Sequence, residues 1–293
     1  MSWQQLVCHT TSDKQDIIVD TMEAAGAVSI TWQDAEDNPI LEPKPGEMRL
    51  WESLVVTALY ENDVDLTALL LTLETHKTDW NIQALQQETV EDQPWERAWM
   101  DSYQPMCFGQ RLWIYPSWYE IPDDDSVKLL LDPGLAFGTG THPTTALCLE
   151  WLDGEDVTGK TVLDYGCGSG ILAIAALKLG AISAVGTDID PQALQATQDN
   201  AERNAVDPEQ LHTCYPKVLP DQTYDIVMAN ILAGPLVELA PELLNAIRMG
   251  GKLVLSGILA EQTESIRAAY QPHLSDFIVT QKDDWIRVTG IRC

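Results

Sequence analysis

The sequence predicts an α/β protein in which a doubly wound, Rossmann-like domain is preceded by a small ferredoxin-like α+β domain. Three observations carry this expectation. Residues 1–88 order themselves as β-α-β-β-α-β. From about residue 105 onward, strand-like runs alternate with longer helical patterns. Between the two kinds of element the stretch "VLDYGCGSGILAIAA", Val162 to Ala176, packs Gly166, Gly168 and Gly170 between an apolar run and a helix start.

In the first part, "WQQLVCHT" reads as a strand, "SDKQDIIVDTMEAAGA" as a helix, and "VSITWQ" and "RLWESLVVTALY" as the middle strands. "DLTALLLTLETH" is a second helix and "WNIQALQQ" a closing strand. Ser12 or Asp13 is expected to cap the first helix and Gly26 to end it, with Asp63 or Asp65 opening the second. Residues 89–104 break the rhythm with acidic residues and Pro94, and read as a linker with a short helix. Trp95 and Trp99 lie at i, i+4 there, a spacing that suits packing of one domain on the other better than ligand binding.

Residues 105–293 form the second domain. "KTVLDYG" is a strand, "GILAIAALKLG" a helix ended by Gly180, "SAVGTDID" a strand and "PQALQATQDNAERNA" a helix begun at Pro191. "YDIVMANIL" and "KLVLSGIL" are strands separated by one helix, "GPLVELAPELLNAIRMGG". A helix, "EQTESIRAAY", and two strands, "DFIVTQ" and "WIRVTGI", complete the order.

Composition restricts the function. At 293 residues and 45% hydrophobic content the chain can bury real cores. Nothing approaches the ~18 to 20 apolar residues of a membrane span, and the start lacks a signal-peptide pattern, so a cytoplasmic protein is expected. The six cysteines are scattered without a C-x-x-C pair, which suggests reduced thiols and no metal. Against 45 acidic residues stand only 17 basic ones, a net charge of -28. Such a field repels phosphate backbones and offers no basic groove, so nucleic acid is disfavoured and a basic protein partner fits better. Solubility alone would also account for the acidity.

The glycines permit a tight turn and close approach of a ligand to the backbone at the carboxyl end of a strand. Gly168-Ser169-Gly170-Ile171-Leu172-Ala173 satisfies the loose G-x-G-x-x-G/A pattern, and Asp188 follows about twenty residues later, where a ribose-binding acid belongs. An acid ending a strand can equally cap the helix at Pro191. Asp164 sets a carboxylate before the glycines, which suits a cationic sulfonium ligand better than a pyrophosphate. Asn230 ends the strand "YDIVMAN" as a candidate acceptor for an amine, or as a loop anchor.

In this order, "LDPGLAFGTGTHPTT", "VLDYGCGSGILAIAA", "GTDIDPQA", "NILAGPL" and "GGKLVLSGIL" resemble the ribosomal protein L11 methyltransferase (PrmA) family of class I methyltransferases, and the likeness spans essentially the whole chain. The resemblance implies S-adenosylmethionine-dependent trimethylation of amino groups, the N-terminal α-amine and lysine ε-amines, on a basic large-subunit ribosomal protein. It implies that Thr145, Gly166, Asp188 and Asn230 contact the cofactor or the amine, and that Phe137, Gly138, Thr139 and Gly140 belong to a flap over the site. Asp164 and Gly168 join the cofactor set, Asn230 is the catalytic candidate, and residues 1–88 recognise the substrate. A monomer without nucleic-acid or membrane binding is expected.

The chemistry requires an aligned neutral amine and a dry site more than a catalytic base. His142, beside Pro143 at a helix start, reads as structural rather than as that base. Competing readings of the same motifs are a small-molecule or nucleic-acid methyltransferase, an NAD-dependent oxidoreductase, and a non-catalytic adenosine-binding scaffold.

Overall fold

The computed structural model describes residues 2–36, 51–91, 103–132 and 142–293. The chain divides into two compact units, residues 1–102 and 103–293. Trp95, Trp99 and the flap residues Phe137, Gly138, Thr139 and Gly140 lie outside the described residues.

The first unit runs β1 (Ser2–Thr11), α1 (Gln15–Ala24), β2 (Ser29–Asp34), β3 (Ser53–Glu61), α2 (Thr67–Thr75) and β4 (Ala84–Glu91). Its four strands pair antiparallel in the order β2-β3-β1-β4, the ferredoxin-like arrangement. Period-two alternation decides the faces: Leu6 and Cys8 in β1 and Val56, Ala58 and Tyr60 in β3 are buried against Ile18, Met22, Leu69 and Leu73 of the helices. Gly26, at φ +91°, ends the first helix, its N–H reaching the Glu23 carbonyl at 2.9 Å.

The cap expected at the first helix differs, whereas one of the two acids expected at the second is in place. Ser12 and Asp13 sit in a 3-10 turn, Ser12–Lys14, and Asp13 accepts from the Thr11 hydroxyl at 2.6 Å, so neither side chain caps α1. At α2 the acid that accepts a helix N–H is Asp65, from Thr67 at 3.0 Å.

The second unit carries two sheets. A small one, β5 (Met106–Phe108), β6 (Leu112–Tyr115) and β7 (Val127–Leu130), was not legible as strands in the sequence. It leads to α3 (Pro143–Gly154), whose buried Asp153 accepts the Gln110 N–H at 2.6 Å and so fastens the β5–β6 turn. The large sheet is built from β8 (Thr161–Tyr165), β9 (Ser183–Thr187), β10 (Leu211–Cys214), β11 (Tyr224–Asn230), β12 (Ile247–Leu259), β13 (Leu274–Lys282) and β14 (Trp285–Arg292). Its order is β10-β9-β8-β11-β12-β14-β13; β8 to β12 run parallel and β14 is antiparallel to both its neighbours.

Helices α4 (Ile171–Lys178) and α5 (Pro191–Arg203) connect the first three of these strands. The expected single helix after β11 is instead two, α6 (Ala233–Glu238) and α7 (Ala240–Ala246). Pro241 explains the break, since it has no N–H to continue a helix and is tolerated only in a first turn. Residues 247–251, read as the end of that helix, begin β12. The last helix is α8 (Thr263–Tyr270).

Two hydrophobic clusters sandwich the sheet. One joins Val162, Ile226, Met228 and Val254 to α3 and α4; the other joins Leu163, Val227, Leu253 and Leu255 to α6, α7 and α8. Alternate residues of each central strand therefore point to opposite, equally apolar layers, as a doubly wound sheet requires.

Candidate active site

Chain order reverses between β8 and β11, which lie side by side although β9 and β10 intervene in sequence. That is the switch point of the sheet, and a crevice opens there beyond the carboxyl ends of the strands. The loops that begin at Gly166, Asp188 and Ile231 meet at it.

The glycine loop is held by its own backbone. The N–H groups of Gly166 and Cys167 both donate to the Thr187 carbonyl, at 2.7 and 3.0 Å. Gly166 and Gly170 have φ of +79° and +77°, values open to glycine at little cost. A Cβ at Gly166 would run into the Ile231 side chain, and one at Gly170 would lie 2.6 Å from Thr197 Cγ2. These two glycines thus admit neighbouring protein.

Asp188 directly follows the end of β9, and the structure separates its two readings. Helix α5 is capped by Asp190, which accepts the Gln192 N–H at 2.9 Å. Asp188 accepts one N–H on each oxygen, from Gly168 and from Asp190, both at 3.0 Å. Each carboxylate oxygen keeps a lone pair, so two further donors such as vicinal hydroxyls can be accommodated.

Asn230 and Thr145, each expected to contact the cofactor or the amine, are brought together: the Asn230 amide donates to the Thr145 hydroxyl at 3.2 Å. The Asn230 side-chain oxygen, Oδ1, is left buried with no hydrogen-bond partner among the described residues. Such an orphan acceptor costs about 1 to 3 kcal/mol, which a bound N–H donor would recover. His142 stands at the start of α3, where its Nδ1 accepts the Thr144 N–H at 3.3 Å. Its ring packs edge-on against Trp285 with centroids 4.8 Å apart. Burial pushes its pKa down, which favours the neutral imidazole that a cap needs.

Asp164 lies at the end of β8, 1% exposed. One oxygen accepts the Ala173 N–H at 3.1 Å and the other is buried without a partner. Burial, reinforced by the negative charge of Asp188, lifts its pKa to about 7 against the pull of the Ala173 bond.

Sequence reasoning missed three residues here. Thr197 donates to the Gly168 carbonyl at 3.1 Å and Asn200 to the Ser169 carbonyl at 2.8 Å, so one face of α5 ties down the glycine loop. Their i, i+3 spacing on the inward face of an otherwise amphipathic helix was the available signal. Ile189 is 84% exposed immediately after Asp188. An apolar side chain between two acids is that signal in the sequence, and it offers a flat aromatic ring a surface. A groove of about 410 Å³, lined by Pro191, Leu194, Cys214 and Tyr215, among others, lies between α5 and β10.

Glycine backbone, a carboxylate with free lone pairs, two orphan buried oxygens and an apolar platform fit a ligand with an aromatic base, vicinal hydroxyls and a cationic end. S-adenosylmethionine has those groups. Among the described residues no cluster of His, Cys, Asp and Glu is placed to hold a metal, and no helix is long and apolar enough to cross a membrane.

Comparison with known proteins agrees with this fit. The family model described as ribosomal protein L11 methyltransferase (PrmA) matches residues 2–292. The ribosomal protein L11 methyltransferase of Azotobacter vinelandii (strain DJ) is 55% identical over 292 residues, with 100% of both chains covered. That of Pseudomonas aeruginosa (strain LESB58) is 54% identical over 292 residues, covering 100% of this chain and 99% of the other. Among solved structures, the ribosomal protein L11 methylase of Lactobacillus delbrueckii subsp. bulgaricus matches with a TM-score of 0.59 at 34% identity, over 65% of this chain and 99% of that one. The chain therefore belongs to the ribosomal protein L11 methyltransferase (PrmA) family, S-adenosylmethionine-dependent enzymes built on a Rossmann-like sheet.

Proposed function

We propose that the enzyme trimethylates amino groups of ribosomal protein L11, the N-terminal α-amine and lysine ε-amines, and that Asn230 holds the reacting nitrogen. The observation that carries this is the unpartnered, buried carbonyl oxygen of Asn230, fixed by the amide bond to Thr145. An acceptor at that place matches the N–H of an amine and leaves the nitrogen lone pair free to point elsewhere. S-adenosylmethionine, when bound, supplies the electrophilic methyl group.

In this reading Asp188 accepts the ribose hydroxyls, Ile189 lies under the adenine, and the glycine loop passes the methionine portion. Asn230 and Thr145 align the amine, and exclusion of water favours its neutral form; an ammonium has no lone pair and must lose a proton before each transfer. The net charge of -28 assists encounter with a basic protein in the cytoplasm and works against RNA as the acceptor. The first unit, with its separate core, is assigned to substrate recognition.

The test is methyl transfer from labelled S-adenosylmethionine to purified ribosomal protein L11, with ribosomal RNA as control and mass spectrometry of the product. Label in L11 as increments of three methyl groups on amines is expected. Label in RNA, or on side chains other than amines, would overturn the assignment.

A further inference from the structure

We propose that Asp164 is a neutral carboxylic acid in the ligand-free enzyme and gives up its proton when a cationic group of the cofactor arrives, so that cofactor binding is coupled to proton release. The inference rests on the functional reading above and adds a charge change at a buried residue of the same site.

The geometry sets the argument. Asp164 is 1% exposed, and among the described residues one N–H, from Ala173 at 3.1 Å, is its entire hydrogen bonding. A carboxylate can accept about four hydrogen bonds, and an ionised one buried with a single donor forfeits several kcal/mol of hydration. Its surroundings supply no compensation. From the end of β9 comes the like charge of Asp188. From α3 and the glycine loop come the thiols of Cys148 and Cys167, both held protonated by burial with pKa values of about 12. The charge of Arg287 of β14 acts on the Cys148 thiol, and its guanidinium donates to the Leu147 carbonyl at 2.7 Å and the Thr280 hydroxyl at 2.9 Å. Its Nε is buried and unpartnered among the described residues, and Arg287 is not among the groups that shift Asp164. Lys178, at the far end of α4, is tied to the Asn204 carbonyl at 3.0 Å. Among the described residues no cation pairs with Asp164, so the protein itself supplies no counter-charge other than a proton.

The carboxyl is nonetheless at the right end of the sheet for a ligand. It ends β8, opposite Met228 of β11, with Asn230 two residues further along on the same face. A ligand cation beside the unpartnered oxygen replaces the proton as counter-charge and adds the missing donor. S-adenosylmethionine offers two candidates, its ammonium and its sulfonium, which share this chemistry.

With the free acid's pKa raised to about 7, binding releases a fraction of a proton that rises toward one as the pH falls below that value. The dissociation constant then rises with falling pH, approaching about tenfold per pH unit below the pKa of the free acid, by the same linkage. Calorimetry in buffers of different ionisation enthalpy measures the released proton directly. The probes are S-adenosylmethionine, S-adenosylhomocysteine (ammonium only) and 5′-methylthioadenosine (neither cation). Release with the first two and none with the third assigns the ammonium; release with the first alone assigns the sulfonium. Asp164→Asn, which keeps an acceptor for Ala173, should bind with no proton release and a flat pH dependence.

If that variant misfolds, infrared spectroscopy of the parent decides: a protonated carboxyl band at pH 6 should vanish on adding S-adenosylmethionine. Tight binding of S-adenosylmethionine without proton release, equal release by 5′-methylthioadenosine, or unchanged release in Asp164→Asn overturns the inference. Failure of S-adenosylmethionine to bind at any pH would overturn the functional reading itself, and this inference with it.

Discussion

Replacing Asp188 by alanine removes two things that one carboxylate does at once, and the structure lets them be priced separately. In the free protein the side chain accepts the Gly168 and Asp190 N–H groups at 3.0 Å each. Hydrogen bonds to a charged acceptor are worth about 1.5 to 3 kcal/mol, and partial exposure of Asp188 places this pair low, at about 2 kcal/mol together. For a domain of this size that corresponds to a fall in Tm of roughly 4 to 8 °C. In the complex the same residue is assigned the ribose hydroxyls, whose loss adds about 1.5 to 3 kcal/mol, a 10- to 150-fold weaker Kd.

Calorimetric titration with S-adenosylhomocysteine, well below the variant's melting point, isolates the second effect. A cycle with the 2′-deoxy form of that ligand sharpens it. If the carboxylate holds the hydroxyl, deleting both partners costs little more than deleting either. Should Asp188→Ala melt early yet bind within twofold of the parent, the carboxylate is a brace for the glycine loop, and the ribose assignment is wrong.

Three further outcomes are expected. Gly166→Ala combines φ +79° with a Cβ driven into Ile231, so urea denaturation should show a loss of about 2 to 4 kcal/mol; adding Ile231→Ala should recover the collision but not the backbone term. A fragment of residues 103–293 should retain cofactor affinity, since every described site residue lies in it, but label L11 poorly; full activity would remove the first unit from substrate recognition. His142 has a folded pKa below its unfolded value, so its contribution to stability is complete above about pH 6.5 and is lost as pH falls through the folded value. Asp164, raised to about 7, works in the opposite direction, favouring the fold at low pH and losing that contribution as pH rises through 7. The Tm of His142→Asn, which caps without titrating, should therefore rise relative to that of the parent from pH 7 to pH 5; a pH-independent difference would refute the neutral cap.

What could be read in the sequence was what is local. Gly166, Gly168 and Gly170 report positive φ through residue type alone, and Asp188 is fixed by the length of one strand-helix-strand unit. Asn230 follows from the end of an apolar run. The small strands β5, β6, β7 and β10 are three or four residues long, too short for period-two alternation to be told from coil. The helix after β11 looked continuous because apolar residues persist across Pro241, while a proline in a first turn marks a new start as readily as an end. Ser12 and Asp13 have the chemistry of caps, but an intervening 3-10 turn sets α1 back to Gln15. The spacing of Thr197 and Asn200 marks them as inward-facing but does not name their partners, and Ile231 has no such mark, since all three meet groups on other elements.

Those long-range partners change what the three glycines mean. A glycine that exists to admit a ligand should have open space where its Cβ would stand. At Gly166 that space is taken by Ile231, and at Gly170 by Thr197. Ile231 follows Asn230 directly, so the absence of a side chain at Gly166 is what lets the end of β11 draw up against the end of β8. Thr197 belongs to the helix that follows Asp188, so Gly170 sets how closely that helix, and the acid before it, approach the loop. The shared carbonyl of Thr187, bonded by Gly166 and Cys167, and the bond from Gly168 to Asp188 close the same arrangement from the strand side. The loop therefore brings two strand ends together before any ligand arrives. A cavity-making change such as Ile231→Ala, far smaller than the loss of a ligand contact, should loosen the geometry at Asn230 and reduce turnover more than it weakens cofactor binding, because positioning of the amine is sensitive to shifts of ~1 Å.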